Sequence, residues 1–303
     1  MPNMMTISVS GALLLGALVR PVFAQVTPPA APPVTIDRSQ RYIVTSTRTR
    51  TAYQIDVLRV DSVVAKAPDR YRLPVIYVLD GNTLFPMVAQ MVNLNASFSS
   101  ALPGVLIASI GYPADPALSR ADQIKDGQAR RTLDLSPPTT LAKTTPPGSG
   151  GAADFLAFLN DDLKPFLDER YAIDRGDQTL VGHSLGGLFT IYTFLNAPTA
   201  FRRYVALSPS LFWDDHAAAR QASALAAETV RPATRLFVGV GDQETKASMG
   251  EDMISDARDF VAALERRQIP GLAMSSQVFP DENHISVLGV GLMRGLREVQ
   301  AIR

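Results

Sequence analysis

The sequence predicts a doubly wound α/β fold, a mostly parallel central sheet flanked by helices, opened by an N-terminal antiparallel hairpin. Three observations carry that expectation. Strand-like and helix-like segments alternate from about residue 37 to the end of the 303-residue chain. The runs 73–79 (Leu-Pro-Val-Ile-Tyr-Val-Leu) and 105–110 are continuously apolar, as strands buried on both faces must be. The segments between strands repeat apolar residues every three or four positions, the spacing of a helix with one buried face.

Taken in order, residues 1–24 carry an apolar stretch over 8–19 and then Val22-Phe23-Ala24, with small residues placed for a cut after Ala24. That is the plan of a secretory signal peptide, and its apolar stretch is shorter than the roughly 20 residues a spanning helix needs. A periplasmic or secreted protein with no stable membrane insertion after cleavage is expected. Residues 25–36 contain Pro28, Pro29, Pro32 and Pro33 and read as a tether, because proline lacks the amide donor and restricts its predecessor. The folded domain spans 37–303.

Within it, 41–46 and 52–61 have β-rich, partly alternating patterns and form the predicted hairpin. Strands are expected at 73–79, 105–110, 179–181, 204–207, 236–240 and 274–278. Phe155, Leu159, Leu163 and Leu167 recur every four residues, so 154–171 reads as one long amphipathic helix. Further helices are expected at 185–196, 253–267 and 287–300. The stretch 113–151 breaks the rhythm: rich in Pro, Gly, Ser, Thr and Arg, it reads as an insertion over the active site.

Composition excludes several functions. The 29 basic residues balance the 29 acidic ones, so no net field would draw the chain to nucleic acid or an anionic membrane. Cysteine is absent and there are 3 histidines, which removes thiol nucleophiles, disulfide frameworks and histidine-rich metal sites. No metal or organic cofactor is expected. Gly289, Gly291 and Gly295 only loosely match a dinucleotide fingerprint and are read as close packing of the last helix.

Chemistry concentrates at Gly182-His183-Ser184-Leu185-Gly186. The pattern Gly-x-Ser-x-Gly between a strand and a helix is a nucleophile elbow, which raises the expectation to an α/β-hydrolase fold with Ser184 as nucleophile. A serine hydroxyl is a weak nucleophile and needs a base. His183 adjoins Ser184 and is directed elsewhere by the turn, and His216 begins a surface helix. His284, in a polar loop after the last strand, completes the chain order Ser, acid, His. The acid is expected after strand 236–240, from Glu244 or, as the alternative, Asp242. The oxyanion hole is expected from the amides of Leu185, after the nucleophile, and Asn82, in the Asp80-Gly81-Asn82 turn after 73–79.

The residues also resemble a known family, the bacterial esterase D-like α/β-hydrolases, closest to the trilactone siderophore esterases that act on enterobactin, salmochelin and bacillibactin. The resemblance rests on Tyr77-Val78-Leu79-Asp80-Gly81-Asn82, on Arg131-Thr132-Leu133-Asp134-Leu135-Ser136-Pro137-Pro138, on Phe158-Leu159 with Leu163-Lys164-Pro165-Phe166, on the elbow continued through Gly187-Leu188-Phe189, on Ser208 to Trp213, and on His284. It implies a serine esterase with no metal of its own, acting on a small-molecule ester, with ferric siderophores among the partners. Ser184 and His284 carry over; the acid does so less firmly, because some members look closer to a Ser-His dyad. An iron-loaded catecholate is anionic, so Arg131 and Arg130 are substrate-binding candidates, and Trp213 could stack on an aromatic acyl group. The competing readings are a general carboxylesterase, a feruloyl-type esterase, an acyltransferase and, in a different class, a catalytically silent ligand-binding protein of the same fold.

Overall fold

The structure, a computed structural model, describes residues 35–61, 72–98, 104–139, 146–226, 230 and 233–300. The expected signal segment 1–24 lies outside the described residues, as do all of the tether but Thr35 and Ile36, and positions 140–145 of the insertion. No described helix is long and apolar enough to cross a membrane.

β1 (Ser39–Thr45) and β2 (Ala52–Val60) form the expected antiparallel hairpin. β2 runs antiparallel to β4 (Val105–Gly111), and from there the pairing is parallel through β3 (Leu73–Val78), β5 (Ile173–His183), β6 (Arg203–Leu207), β7 (Thr234–Gly241) and β8 (Leu272–Phe279). Among the described residues these strands make one sheet, in the order β1-β2-β4-β3-β5-β6-β7-β8. Every residue of β3 and β4 is buried, which is why their sequences are apolar without alternation. Pro74 stands in a central strand despite lacking an amide donor, and the β3–β5 register shifts between Leu73 and Val75, so the irregularity falls where the donor is missing.

One face of the sheet is covered by α1 (Gly81–Phe98) and α9 (Val287–Gln300), whose Val88, Val92, Leu292 and Leu296 pack with Ile76, Ile107 and Val205. Gly291 and Gly295 of α9 sit where an added Cβ would lie 3.0 Å from Leu207 Cδ2 and 2.6 Å from Val205 Cγ1, so these two glycines are packing residues. Gly289 has open space around it.

The opposite face is covered by α3 (Ala152–Ala157), a π-helical turn (Phe158–Leu163), α4 (Lys164–Arg170), α5 (Leu185–Asn196) and α8 (Met253–Glu265). The single helix expected over 154–171 therefore contains a π segment, and the spacing of its apolar residues explains why. A step of four residues overshoots one α-helical turn of 3.6 by about 40°, so four apolar residues spaced by four would drift off the sheet. The wider i→i+5 turn absorbs that drift. Phe155, Leu159, Leu163 and Leu167 all end buried on one face, none more than 2% exposed.

The insertion differs from its expectation as a loop: its middle is α2 (Arg120–Leu135), capped by the Ser119 side chain accepting from the Asp122 amide. The helix was illegible because it lacks an apolar stripe; Ile124 and Leu133 are exposed, and only Asp134 and Leu135 are buried. Polar contacts hold it instead. Asp134 accepts from the Tyr112 hydroxyl at 3.1 Å beneath the helix. Burial pushes its carboxyl up to about 6, although hydrogen bonds from Tyr53 and Tyr112 oppose the rise. A carboxyl whose folded pKa exceeds its unfolded value stabilises the fold at low pH, and that contribution is lost as pH climbs from about 4 through about 6. Asp134→Asn is therefore expected to gain on wild type by up to about 3 kcal/mol between pH 4 and 7, with each pKa unit worth about 1.4 kcal/mol. Urea unfolding at several pH values measures the difference, and a pH-independent gap between the two proteins would contradict it.

Candidate active site

The described parallel strands β3, β5, β6, β7 and β8 end on one edge of the sheet, and the segments that follow them bring together the residues of the site. In open α/β sheets this carboxyl edge is where ligands bind. Asp80 to Asn82 follow β3, Ser184 follows β5, Ser208 follows β6, Glu244 follows β7 and His284 follows β8.

Ser184 has φ 60° and ψ −119°, a left-handed conformation held between β5 and α5. Its amide donates to Leu207 O at 3.0 Å and its carbonyl accepts from the Ser210 amide at 3.2 Å, so β6 and the chain after it clamp the turn. Such backbone costs of order 1–3 kcal/mol and persists only where surroundings impose it. Gly182 is required by close approach: an added Cβ would overlap the Gly186 carbonyl and the Thr190 hydroxyl. Gly186 gives room to the Asp80 carboxylate, whose Oδ2 would stand 3.2 Å from a Cβ there.

His284 and Glu244 are joined by a 2.7 Å hydrogen bond from Nδ1 to Oε2. The other carboxylate oxygen, Oε1, accepts from the Ser208 hydroxyl at 2.6 Å and the Gly241 amide at 2.7 Å. Glu244 is fully buried. Burial alone would raise its carboxyl, but the bonds from His284, Ser208 and Gly241 outweigh it and hold the group below its ordinary value. An anionic acceptor at Nδ1 places the proton there and leaves Nε2 of His284 as the lone-pair nitrogen.

His183 donates from Nε2 to the His284 carbonyl at 2.7 Å, and the two rings lie 4.5 Å apart. Burial, then the neighbouring His284, push its imidazole down to about 4, so it stays a neutral donor that braces the His284 loop. His216 stands elsewhere, in α6 (Trp213–Ala224), with Nδ1 3.1 Å from Asp256 Oδ1. The turn therefore leaves His183 in the cleft with Ser184, its Nε2 engaged by the His284 carbonyl, while His216 lies beside Asp256.

The oxyanion candidates start helices. Asn82 lies in the first turn of α1 and Leu185 in that of α5, where backbone amides have no intrahelical acceptor. The Asn82 side chain is engaged with Tyr112, donating from Nδ2 to its carbonyl at 2.8 Å and accepting its amide at Oδ1 at 2.6 Å. This ties the turn after β3 to the end of β4.

Ser184, His284, His183, Asn82 and Arg131 line one cleft of about 770 Å³, whose walls also include Leu84, Pro113, Ile124, Ile285, Leu288 and Arg120. Pro113, Arg120, Ile124 and Arg131 all come from 113–151, so described residues of that stretch form part of the cleft wall. The cleft holds a serine hydroxyl at a helix N-terminus and an imidazole bonded through Nδ1 to a buried carboxylate, groups of the kind acyl transfer uses.

The other sequence-predicted positions differ in the contacts they make. Asp242 is exposed and its amide bonds to Phe279 O at 2.9 Å; the carboxylate at the histidine is Glu244. Among the described residues, Trp213 and Arg130 do not line the cleft. The Trp213 indole donates to Pro137 O at 3.2 Å, packing α6 against the end of the insertion. Arg130 donates to Ala52 O at 2.5 Å and lies 4.8 Å from the Tyr112 ring centroid. Arg131 does border the cleft, and its guanidinium is engaged by Asp80, with Nε–Oδ1 2.6 Å and Nη2–Oδ2 3.0 Å. The sequence reading missed Ser208, which supports Glu244, and Arg120, which stands exposed at the cleft. Ser208 had a local signal, a serine directly after a strand at the carboxyl edge; Arg120 had none.

A family model described as "Putative esterase" matches residues 62–275. Among curated proteins, the ferri-bacillibactin esterase BesA of Bacillus subtilis is 31% identical over 234 residues, 74% of this chain and 78% of the relative. The siderophore triacetylfusarinine C esterase of Aspergillus fumigatus is 31% identical over 252 residues, covering 76% and 82%. Among solved structures, the BES protein from Bacillus cereus superposes with a TM-score of 0.75 at 27% identity, covering 90% of this chain and 98% of that one. With fold, cleft and relatives in agreement, the chain belongs to this esterase family and is an α/β-fold enzyme that hydrolyses esters.

Proposed function

We propose that this protein is an exported serine esterase that opens siderophore-type multi-ester substrates, with Ser184 as nucleophile, His284 as base and Glu244 as the acid of a triad. The observation that carries the mechanism is the chain of hydrogen bonds behind His284, from Ser208 and Gly241 through Glu244 to Nδ1, beside a strained Ser184 in the same cleft.

In this mechanism His284 Nε2 takes the hydroxyl proton as Ser184 Oγ attacks the ester carbonyl carbon. The oxyanion is met by the Asn82 and Leu185 amides. Collapse breaks the bond to the alkoxy oxygen, which leaves as the alcohol with the proton from His284. Water then attacks the acyl-enzyme, giving its proton to His284, and the carboxylic acid departs as Ser184 regains a proton.

The substrate class is supported by the siderophore esterases among the relatives and by a cleft of about 770 Å³, larger than a simple acetyl ester fills. A turnover screen of cyclic trilactones, feruloyl esters and short aliphatic esters tests it, with trilactones expected to give the highest kcat/KM by about tenfold or more, the discrimination about 1.4 kcal/mol supplies. Equal or better turnover of short esters would sink the siderophore assignment. Transfer to an added alcohol in place of water would make the enzyme an acyltransferase. Export is supported by the apolar stretch and the small residues before Ala24. It predicts a mature chain starting at Gln25, and mass spectrometry finding Met1 retained would reject it.

A further inference from the structure

The two oxyanion donors belong to different segments, Asn82 on the chain leaving β3 and Leu185 on the chain leaving β5. The strands are adjacent and parallel, with Val78 opposite Val181, and Leu79 makes one more backbone bond, to Val181 O at 3.0 Å. Beyond Leu79 the chains turn apart into α1 and α5, and sheet pairing no longer sets their spacing. A side chain from a third segment spans the gap. Arg131, on α2, grips the Asp80 carboxylate with both arms of its fork and also donates from Nη2 to the His183 carbonyl at 3.3 Å. Asp80 directly precedes the turn carrying Asn82, and His183 directly precedes Ser184.

We infer that Arg131 is a positioning residue of the ester hydrolysis, fixing the distance between the two oxyanion donors by bridging Asp80 to the His183 carbonyl. Two physical reasons support it. The planar guanidinium holds three acceptors in a fixed fan, which a lysine ammonium cannot reproduce. The Asp80 carboxylate is 14% exposed and lies over the start of α5, so without its cation it would repel the charge that develops at the carbonyl oxygen. Asp80 itself has φ 58°, a left-handed conformation for which the Arg131 bridge is one restraint. Because α2 lies in the insertion over the cleft, the same bond couples the position of the insertion to the completeness of the oxyanion hole.

The inference rests on the reading of Ser184 as nucleophile and of the Asn82 and Leu185 amides as oxyanion donors. Its test uses p-nitrophenyl acetate, a small neutral ester that an anion-binding arginine would not touch, and a trifluoromethyl ketone as a mimic of the tetrahedral adduct. Arg131→Ala is expected to lower kcat by about 10²-fold, the effect of losing one oxyanion donor. KM should stay within about threefold, and the ketone should weaken in proportion to kcat/KM. Millimolar guanidinium should restore part of kcat to Arg131→Ala, and Asp80→Asn on top of Arg131→Ala should recover activity by removing the uncompensated charge. Should Arg131→Ala fail to fold by circular dichroism, Arg131→Lys provides the same readouts, with kcat lowered and KM held. Unchanged kcat on the neutral ester, or a loss of kcat with undiminished affinity for the ketone, would overturn the inference. Retained turnover in Ser184→Ala would instead remove the nucleophile reading beneath it, so the two failures are distinguishable.

Discussion

Ser184→Ala is expected to lower turnover of any ester substrate by about 10⁵- to 10⁶-fold, the scale on which removal of a serine nucleophile acts when base and acid remain. The residual rate would come from binding and the amide donors. A fluorophosphonate should label the wild-type chain at Ser184 and leave the variant unlabelled. Wild-type-like hydrolysis of a p-nitrophenyl ester by the variant would end the mechanism proposed above. A companion substitution separates chemistry from stability. Ser184 sits at φ 60°, which costs a non-glycine residue and not glycine. Ser184→Gly should therefore abolish activity while raising stability by about 1–2 kcal/mol, or roughly 2–6 °C in Tm for a domain of this size. A Ser184→Gly protein less stable than Ser184→Ala would show that the turn is not strained as its dihedrals imply.

Glu244→Ala is expected to cost about 10³- to 10⁴-fold in kcat, because His284 would lose the anion that sets its tautomer and stabilises its charged form. It should also destabilise the fold by about 2–4 kcal/mol, since the Ser208 hydroxyl and the Gly241 amide would be left buried without their acceptor. Asp242→Ala, two positions away and exposed, should change kcat less than about twofold, as surface substitutions do. The comparison is direct: kcat of both variants with one substrate at one pH, alongside urea midpoints. If Asp242→Ala lost turnover and Glu244→Ala kept it, the assignment would reverse.

The ease of reading this chain varied with how local the causes were. The strands at 105–110 and 236–240 and the helices at 185–196 and 287–300 were legible because their burial pattern is written within each segment. The helix α2 was not, since its anchors are Asp134 on Tyr112 and Arg131 on Asp80, contacts with segments that precede it by 22 and 51 positions. The π turn over Phe158–Leu163 hid in plain view: the strict spacing by four carried it, but that spacing also fits one uninterrupted helix.

The sequence by itself determined the glycine-flanked turn at Ser184 and the expectation of His284 as its base. Both follow from short-range constraints, since a glycine-flanked serine between strand and helix can adopt few conformations, and three histidines leave little to choose among. Tertiary structure alone decided which carboxylate faces that histidine and what the arginines do. Glu244 and Asp242 are two positions apart with the same charge, and only the Ser208 hydroxyl from the end of β6, the Gly241 amide and full burial distinguish them. Arg131 likewise could have met solvent, substrate or Asp134, and its bond to Asp80 exists because the sheet brings the end of β3 beneath α2. A charged side chain's role is set by the partners the fold delivers to it, and those partners lie far away along the chain.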